Sequence, residues 1–210
     1  MKSNINLDPI KGYFQHKLAT FGTTPRGADW NSEQAQEMRF NQLIKIINPS
    51  RKYTLLDYGS GFGSLYTYLK KLDHQLEYYG FDIVESMVSQ GNQLHKNDPD
   101  CHFISMENEI PEVDYSIVSG TFNIKLDVST ENWTDYVIQA LNSMNRISHK
   151  GLAFNMLTKY SDLEYMRSNL YYADPCFFFD YCKRNFAKDV ALLHDYGLYD
   201  FTIHVRKQLE

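Results

Sequence analysis

The chain contains few cysteines, no long apolar run and no block of basic residues. Its three cysteines, Cys101, Cys176 and Cys182, form no pair with metal-ligand spacing, which favours reduced thiols in a cytoplasmic protein over a disulfide framework. No segment reaches the roughly 18 consecutive apolar residues of a membrane span, and residues 1–18 lack the apolar core of a secretion signal. We therefore expect a cytoplasmic protein that has no membrane partner.

The net charge and the length of the chain restrict the class of protein further. The 210 residues carry a formal net charge of -5, whereas a nucleic-acid partner usually requires a basic face. The length is sufficient for one α/β domain with a substantial core. We expect a domain of this kind that has no nucleic-acid partner.

The most informative segment is residues 55–63, which read LLDYGSGFG. The apolar residues before Asp57 indicate a strand buried on both faces. Gly59, Gly61 and Gly63 lack a Cβ atom, so the backbone can turn sharply there and approach a ligand. Leucines at helical spacing follow the glycines, and the N–H groups at the start of such a helix attract an anionic ligand group.

The glycine spacing separates two kinds of nucleotide-binding protein. A dinucleotide fingerprint reads GxGxxG, whereas this turn reads GxGxG with Ser64 at the sixth position. Asp57 stands two residues before the first glycine, where it would repel a pyrophosphate and attract an ammonium group. In these residues the chain resembles the class I methyltransferases that use S-adenosylmethionine (SAM), whose first motif is two apolar residues followed by Asp/Glu-x-Gly-x-Gly-x-Gly.

A second acidic residue supports nucleoside binding. Residues 76–83 read as the next strand and include Asp82, at the distance beyond the glycines where a second parallel strand places a carboxylate on a ribose diol. A carboxylate can accept hydrogen bonds from both hydroxyl groups. Dehydrogenases use the same acid, so Asp82 alone does not identify the cofactor.

The remaining pattern predicts a doubly wound α/β fold. Further strands are predicted at 101–106, 113–120, 151–157, 190–194 and 201–206, and helices at 133–147, with Thr130 as a cap, and at 177–186. The last two strands are too close in sequence for a crossover helix, which makes them antiparallel. We predict a mostly parallel seven-stranded sheet with an antiparallel C-terminal hairpin strand, an arrangement similar to that of the methyltransferases.

Two parts of the chain are expected to differ in role. Residues 51–210 are predicted to form the SAM-binding domain. Residues 1–50 are predicted to form an N-terminal helical cap, or lid, in which Asn31 or Ser32 caps a helix that ends near Asn48–Pro49.

The resemblance implies a set of cofactor contacts at the carboxyl ends of the strands. The glycine turn would hold the methionine part of SAM, Asp82 the ribose, and the residues after the fourth strand would lie beside the sulfonium. Glu107 would meet the adenine amino group or be a solvated loop carboxylate, and Arg39 would pair with the SAM carboxylate or serve packing. The implied contacts are Asp57, Gly59, Ser60, Gly61, Gly63, Asp82, Ile83, Met106, Glu107, Ser119, Gly120, Thr121 and Arg39. S-adenosylhomocysteine (SAH) would be the product.

Methyl transfer from a sulfonium requires an aligned acceptor and the exclusion of water. An acceptor oxygen can require a general base, whereas an amine need only be neutral, and the sequence leaves both open. His194 and Asp195, at the end of the sixth strand, are candidate catalytic residues, although a hairpin-corner histidine bonded to backbone fits the same pattern. Candidate acceptor contacts are Arg26, Trp30, Phe122, Asn123, Lys125, Asn155, Tyr171 and Tyr172.

Two motifs of nucleic-acid methyltransferases are missing. Residues 119–122 read SGTF where adenine enzymes carry Asn/Asp-Pro-Pro-aromatic, and Pro175–Cys176 does not follow the fourth strand. We therefore favour a small-molecule acceptor, such as a metabolite, a natural product or a sugar precursor, with a protein side chain as an open alternative. Two rival hypotheses are an NAD-dependent oxidoreductase on a related fold and a non-catalytic SAM-binding protein. No carboxylate cluster indicates a metal, and the sequence leaves the oligomeric state open.

Overall fold

The central sheet is formed by seven strands in the computed structural model, which describes residues 5–207. The strands are β1 (Tyr53–Tyr58), β2 (Leu76–Phe81), β3 (Cys101–Ile104), β4 (Val113–Ser119), β5 (Ser148–Leu157), β6 (Asp189–Leu193) and β7 (Asp200–Arg206). Their order in the sheet is β3-β2-β1-β4-β5-β7-β6. Strands β1 to β5 pair in parallel, and β7 is antiparallel to both β5 and β6. The predicted fold class and its antiparallel C-terminal strand are confirmed.

Helices cover both faces of this sheet. The described helices are α1 (Asp8–Phe21), α2 (Glu33–Leu43), α3 (Ser64–Lys71), α4 (Glu85–Leu94), α5 (Thr130–Ile147) and α6 (Pro175–Asn185). Apolar residues of α2 and α3 share one core cluster with Leu55 and Ile117, while those of α5 and α6 share another with Leu56 and Val118. Neighbouring strand residues therefore face opposite sides, which explains why the strands are apolar throughout. None of the helices within residues 5–207 is both long and apolar enough to cross a membrane.

Several predicted element ends shift by a few residues. The third strand ends at Ile104 because residues 107–109 form a 3₁₀ turn, and the fifth begins at Ser148. Helix α5 is capped by Ser129 and not by Thr130: the Ser129 side chain accepts a hydrogen bond from the Asn132 amide at 3.2 Å. Helix α2 is capped by Ser32, one of the two predicted residues.

The N-terminal segment, defined here as residues 5–46, packs across the carboxyl ends of the strands. Leu18 of α1 shares a small apolar cluster with Phe62, Val84 and Met87. Further along the segment, the Arg39 guanidinium donates to both carboxylate oxygens of Asp200 at the start of β7. The Asp200 side chain is 0% exposed and that of Arg39 is 12% exposed. This ion pair therefore joins α2 to the last strand of the sheet in a setting nearly free of water.

The Arg39–Asp200 pair generates a stability prediction. Arg39→Leu leaves the buried Asp200 carboxylate unpaired, which typically costs about 3–5 kcal/mol. Urea unfolding should show this loss in the free energy of unfolding. Arg184→Leu is the matched control, because the Arg184–Asp180 pair is exposed and is expected to contribute no measurable stability. Equal effects of the two substitutions would contradict the prediction.

Candidate functional site

A cavity opens where β1, β2 and β4 end, beneath the N-terminal segment. Its polar walls come from the turns after these strands, and its apolar walls come from α1, α2 and α5. The lining residues that the sequence analysis had selected are Trp30, Asp57, Gly59, Ser60, Gly61, Asp82, Ile83, Ser119, Gly120, Thr121 and Asn123. The carboxyl edge of a parallel sheet thus brings together residues that are up to 93 positions apart in the chain.

Backbone hydrogen bonds join the glycine turn to the end of β2. The amides of Gly59 and Ser60 both donate to the Phe81 carbonyl oxygen, at 2.7 and 3.0 Å. The next amide, that of Gly61, donates to Asp82 Oδ2 at 2.8 Å, and the Val84 amide donates to Oδ1 at 2.8 Å. Asp82 is therefore fixed in place by both of its oxygens before any ligand binds.

Two glycines of this turn have different reasons to lack a side chain. A Cβ atom at Gly59 would lie 2.2 Å from Thr121 Oγ1, so Gly59 permits the contact between the turns after β1 and β4. Gly61 has a φ of +56°, which favours glycine, and the space beside it is open. That open space belongs to the cavity, so a ligand can approach the backbone at Gly61 closely.

Two buried carboxyl groups flank the glycine turn. Asp57 accepts a hydrogen bond from the Tyr78 hydroxyl at 2.7 Å, and burial raises the pKa of Asp57 to about 7. Burial also raises the pKa of Asp82 to about 6, in spite of its two backbone donors. Both groups face the cavity, where a cation or a hydrogen-bond donor would favour their ionised forms.

The turn after β4 is held by side chains from neighbouring strands. Asn155 Oδ1 accepts from the Gly120 amide at 2.7 Å, and Thr121 Oγ1 donates to the Tyr58 carbonyl oxygen at 2.9 Å. Asn123 Oδ1 accepts from the Leu157 amide at 3.0 Å. The Ser119 hydroxyl, which lines the cavity, has no hydrogen-bond partner among the described residues. It is one of the few polar groups free to meet a ligand.

Residues of the N-terminal segment form one wall of the cavity. Trp30 lies directly on the backbone of Gly120, where a Cβ atom would be 2.5 Å from its ring. The Arg39 guanidinium lies 4.9 Å over the Trp30 ring, and Asp200 holds that guanidinium. Trp30 is thus fixed between the turn after β4 and the Arg39–Asp200 ion pair.

Arg39 is therefore placed away from the role suggested for it in cofactor binding. It does not line the cavity, and its guanidinium is occupied by Asp200 and by the Ala35 carbonyl oxygen. These contacts agree with the alternative in which Arg39 serves packing instead of pairing with the SAM carboxylate. No sequence pattern indicates Asp200 as the partner of Arg39, because the two residues are 161 positions apart.

The structure does not bring His194 and Asp195 to the cavity. Both follow β6, at the edge of the sheet, and both are exposed. Strand β6 is separated from β4 by β5 and β7, which corresponds to about 14 Å at the usual strand spacing. His194 contacts the rings of Tyr160 and Phe201 instead.

Other predicted acceptor contacts also lie outside the cavity lining. Phe122 is fully buried against Tyr58, and Lys125 donates to the carbonyl oxygens of Leu126 and Val128. Tyr171 is buried and its hydroxyl pairs with Thr134. The remaining predicted residues outside the lining are Arg26, which is exposed, Asn155, which acts on the Gly120 amide, and Tyr172, whose hydroxyl bonds to the 165–167 backbone.

Three predicted cofactor contacts, Met106, Glu107 and Gly63, also lie outside the cavity lining. Met106 and Glu107 are exposed and do not line the cavity. Burial raises the pKa of the Tyr136 hydroxyl, which lines the cavity, and the charge of Glu107 adds to this rise. Gly63 lies beneath the turn, where a Cβ atom would be 2.7 Å from the Phe103 ring.

Sequence reasoning missed several lining residues. Gln36 of α2 is 5% exposed, and Asp29 adopts a φ of 62°. Asp29 accepts from the Tyr13 hydroxyl and pairs with Lys17 at 2.6 Å. The residues around Gln36 are polar and contain no recognisable motif. Burial of Gln36 depends on how α2 packs against the rest of the protein, which the local sequence does not determine.

The described cavity lining contains acidic side chains but no basic ones. Its three ionisable carboxyl groups are Asp29, Asp57 and Asp82, and within residues 5–207 it includes no lysine, arginine or histidine. No group of three or more His, Cys, Asp or Glu side chains in that part of the chain is arranged to hold a metal ion. The site therefore favours neutral or cationic ligand groups at its carboxyl groups.

Comparison with known proteins gives a clear relationship. No family model matches the chain. A protein of Mycobacterium tuberculosis (strain ATCC 25618 / H37Rv) described as "Putative methyltransferase Rv1506c" is 42% identical over 164 residues, which are 78% of this chain and 99% of that protein.

Solved structures share the fold at low sequence identity. Human N-acetylserotonin methyltransferase in complex with SAM has a TM-score of 0.64 and 13% identity over 97% of this chain, which spans 57% of the human enzyme. The N-methyltransferase NodS of Bradyrhizobium japonicum WM9, with SAH, has a TM-score of 0.64 and 13% identity over 93% of this chain and 97% of NodS. A Burkholderia thailandensis 1,6-didemethyltoxoflavin-N1-methyltransferase has a TM-score of 0.62 and 15% identity, with 99% and 93% covered.

The chain belongs to the class I SAM-dependent methyltransferases. The human neighbour is described in complex with SAM, and NodS and the Burkholderia enzyme with SAH. The hypothesis of an NAD-dependent oxidoreductase is set aside, because the chain belongs with the methyltransferases, whose cofactor in these structures is SAM. The residues present fit this cofactor, because the cavity offers an open approach to Gly61 and two fixed carboxyl groups in one wall.

The buried Asp57 generates a prediction on pH and stability. Since its pKa is raised from 3.8 to about 7, the folded protein binds this proton more tightly than the unfolded chain does. The stability that this proton provides is lost as the pH rises through that interval. Asp57→Asn keeps an oxygen for Tyr78 but cannot titrate. Relative to wild type, the free energy of unfolding of the variant should therefore rise by about 4 kcal/mol between low and high pH.

Urea unfolding of the two ligand-free proteins across this pH range measures the difference. Asp127→Asn changes an exposed carboxyl group and serves as the control. A constant difference between Asp57→Asn and wild type at all pH values would show that Asp57 is not held in the proposed environment.

Proposed function

We propose that the protein transfers the methyl group of SAM to a small-molecule acceptor bound beside it in the described cavity. One observation carries the proposal: the glycine turn and the fixed Asp82 form one wall of a cavity whose other walls are largely apolar. A polar wall suits a nucleoside cofactor, and the apolar walls suit an acceptor that must be shielded from water.

The proposed cofactor contacts follow from the groups that remain available. Asp82 would accept from the ribose hydroxyls, since each of its oxygens has further lone-pair capacity after its one backbone bond. Asp57 would face the ammonium group of the methionine part, and Gly61 would allow close approach of the ligand to the backbone. SAM, when bound, supplies an electrophilic methyl group on a positively charged sulfur.

The acceptor is proposed to bind between the turn after β4 and the N-terminal segment. Trp30, Phe14 and Ile124 provide apolar contact there, while Ser119 and Asn123 provide hydrogen bonding. The lack of a cationic residue in the described lining favours an acceptor whose buried part is neutral or cationic over a phosphorylated one. The residues 1–50 are proposed as the cover of this site, with Trp30 as its inner surface.

The chain's contribution to methyl transfer is proposed to be positioning. Since no histidine lines the described cavity, the acceptor nucleophile is expected to arrive in its neutral, deprotonated form. Asn155 would act indirectly, by fixing the Gly120 amide and thereby the turn that faces the acceptor. The enclosed apolar walls exclude water from the reacting atoms.

Calorimetric titration with SAH, with NAD as the control ligand, tests the cofactor site. Binding of SAH alone is the expected result. Incubation with SAM and a panel of small amines, phenols and alcohols then tests turnover, with released SAH as the readout. Binding of NAD in place of SAH would contradict the proposal, and so would methylation confined to macromolecular acceptors in a matched panel.

Asp82→Ala tests the proposed ribose contact. The substitution removes a charged acceptor of two ligand hydroxyls, so the Kd for SAH should rise by about 100-fold. Circular dichroism and urea unfolding would check that the variant is folded, and Asp127→Asn is again the matched control. Unchanged affinity in a folded Asp82→Ala protein would place the ribose elsewhere.

A further inference from the structure

We propose that the acceptor carries a neutral oxygen atom, of the carbonyl or hydroxyl type, that accepts hydrogen bonds from the Asn123 amide nitrogen and the Ser119 hydroxyl. The inference rests on the function proposed above and deepens it, because it names the chemical class of acceptor that the turn after β4 would select. Three observations carry it: an amide of fixed orientation, a hydroxyl without a partner, and a surplus of donors at this turn.

The first observation is the orientation of the Asn123 side chain, which lines the cavity. Its Oδ1 atom accepts from the Leu157 amide at 3.0 Å, and because an amide N–H can only donate, this bond distinguishes the side-chain oxygen from the nitrogen. The backbone groups of Asn123 are bonded to Gly120 and Tyr171. Within residues 5–207, Nδ2 is therefore the polar group of Asn123 that remains available, and it is a donor.

The second observation is the Ser119 hydroxyl at the end of β4. Ser119 lines the cavity, and its oxygen is buried without a hydrogen-bond partner in the described part of the chain. The next four residues form a turn, which the Asn123 amide closes by donating to the Gly120 carbonyl oxygen at 3.0 Å. This short turn keeps Ser119 and Asn123 close together in one wall of the cavity.

The third observation is that donors outnumber acceptors around this turn. Asn155 pairs in register with Ser119, and its Oδ1 is occupied by the Gly120 amide at 2.7 Å, while its buried Nδ2 has no partner within 5–207. Asn155 lies outside the lining, so we assign it no ligand contact. Because backbone amides occupy the side-chain oxygens of both asparagines, a ligand atom that accepts hydrogen bonds is the complement of the groups that remain.

The charge of the lining favours a neutral oxygen over an ionised one. Asp29, Asp57 and Asp82 line the same cavity, and its described lining contains no lysine, arginine or histidine. A carboxylate or phosphate on the acceptor would face these carboxyl groups without a counter-ion, which is unfavourable. An ammonium group does not suit the turn either, because Asn123 Nδ2 presents hydrogen atoms to it. A carbonyl or hydroxyl oxygen meets both conditions.

The surfaces beside the turn are apolar. Trp30 lies on Gly120, and Phe14 and Ile124 also line the cavity. The part of the acceptor next to its oxygen is therefore expected to be a carbon skeleton. Such a skeleton would exclude water from the two donors, which strengthens their hydrogen bonds to the oxygen.

Two probes that differ in one group test the inference. Acetophenone and isopropylbenzene share one heavy-atom skeleton, but acetophenone alone has a carbonyl oxygen. Ligand-observed NMR titration of the SAH-bound protein gives a Kd for each probe. Asn123→Asp keeps an oxygen for the Leu157 amide and replaces the free donor with an acceptor. The Kd for acetophenone should rise about tenfold, while the Kd for isopropylbenzene stays within about twofold.

Ser119→Ala gives an independent check, because it removes the hydroxyl without adding a charge. We expect the Kd for acetophenone to rise about fivefold and that for isopropylbenzene to stay unchanged. Asn92→Asp is the matched control, since it makes the same change at an exposed position of α4 and should alter neither Kd. Calorimetric titration of each variant with SAH should give the wild-type Kd, because the inference assigns both side chains to the acceptor.

Each other outcome has a definite meaning. Equal losses for both probes would overturn the inference and assign Asn123 and Ser119 a general role in shaping the cavity. An unchanged Kd for acetophenone in both variants, or no binding of acetophenone to the SAH-bound wild type, would overturn it and leave the proposed function standing. Weaker SAH binding by Ser119→Ala would place that hydroxyl on the cofactor instead. A wild type that did not bind SAH would contradict the proposed function itself.

Discussion

The site depends on the hydrogen bonds between the glycine turn and the end of β2. The Phe81 carbonyl oxygen accepts from two successive amides of the turn, and the Asp82 carboxylate accepts from a third. Because these bonds join the ends of two adjacent parallel strands, the sheet itself sets the distance between the turn and the carboxylate. The turn cannot move without releasing buried donors, which is costly where water is absent. The ligand therefore meets a surface that is already in place.

A second constraint acts from the opposite side of the cavity. The turn after β4 is supported by Asn155 beneath and by Trp30 above, and Trp30 in turn contacts the guanidinium of Arg39. Asp200 completes this line of contacts from β7. Four parallel strands, β1, β2, β4 and β5, and the antiparallel β7 thus contribute to a single pocket, although each contributes mainly through the residues near its end.

The sequence predicted what local patterns determine. Apolar strands, the glycine turn and the acid of β2 depend on neighbours along the chain, and each was found where expected. The lateral place of a strand is not a local property: His194 follows a strand of the correct direction, but β5 and β7 separate it from the site. The same holds for Arg39 and Gln36, one helical turn apart, whose different surroundings depend on Asp200 and on how α2 docks. The assigned roles of individual site residues stay predictions.

The position of β7 has a consequence for the order in which the chain becomes functional. All described residues that line the cavity precede position 137, yet the ion pair that joins the N-terminal segment to the sheet requires Asp200. The turns after β1, β2 and β4 can therefore form before the N-terminal segment is joined to β7. Only when the final strand inserts between β5 and β6 is the charge of Arg39 neutralised inside the protein. Completion of the pocket thus depends on the insertion of β7, and a chain in which β7 has not inserted would hold an open half-site.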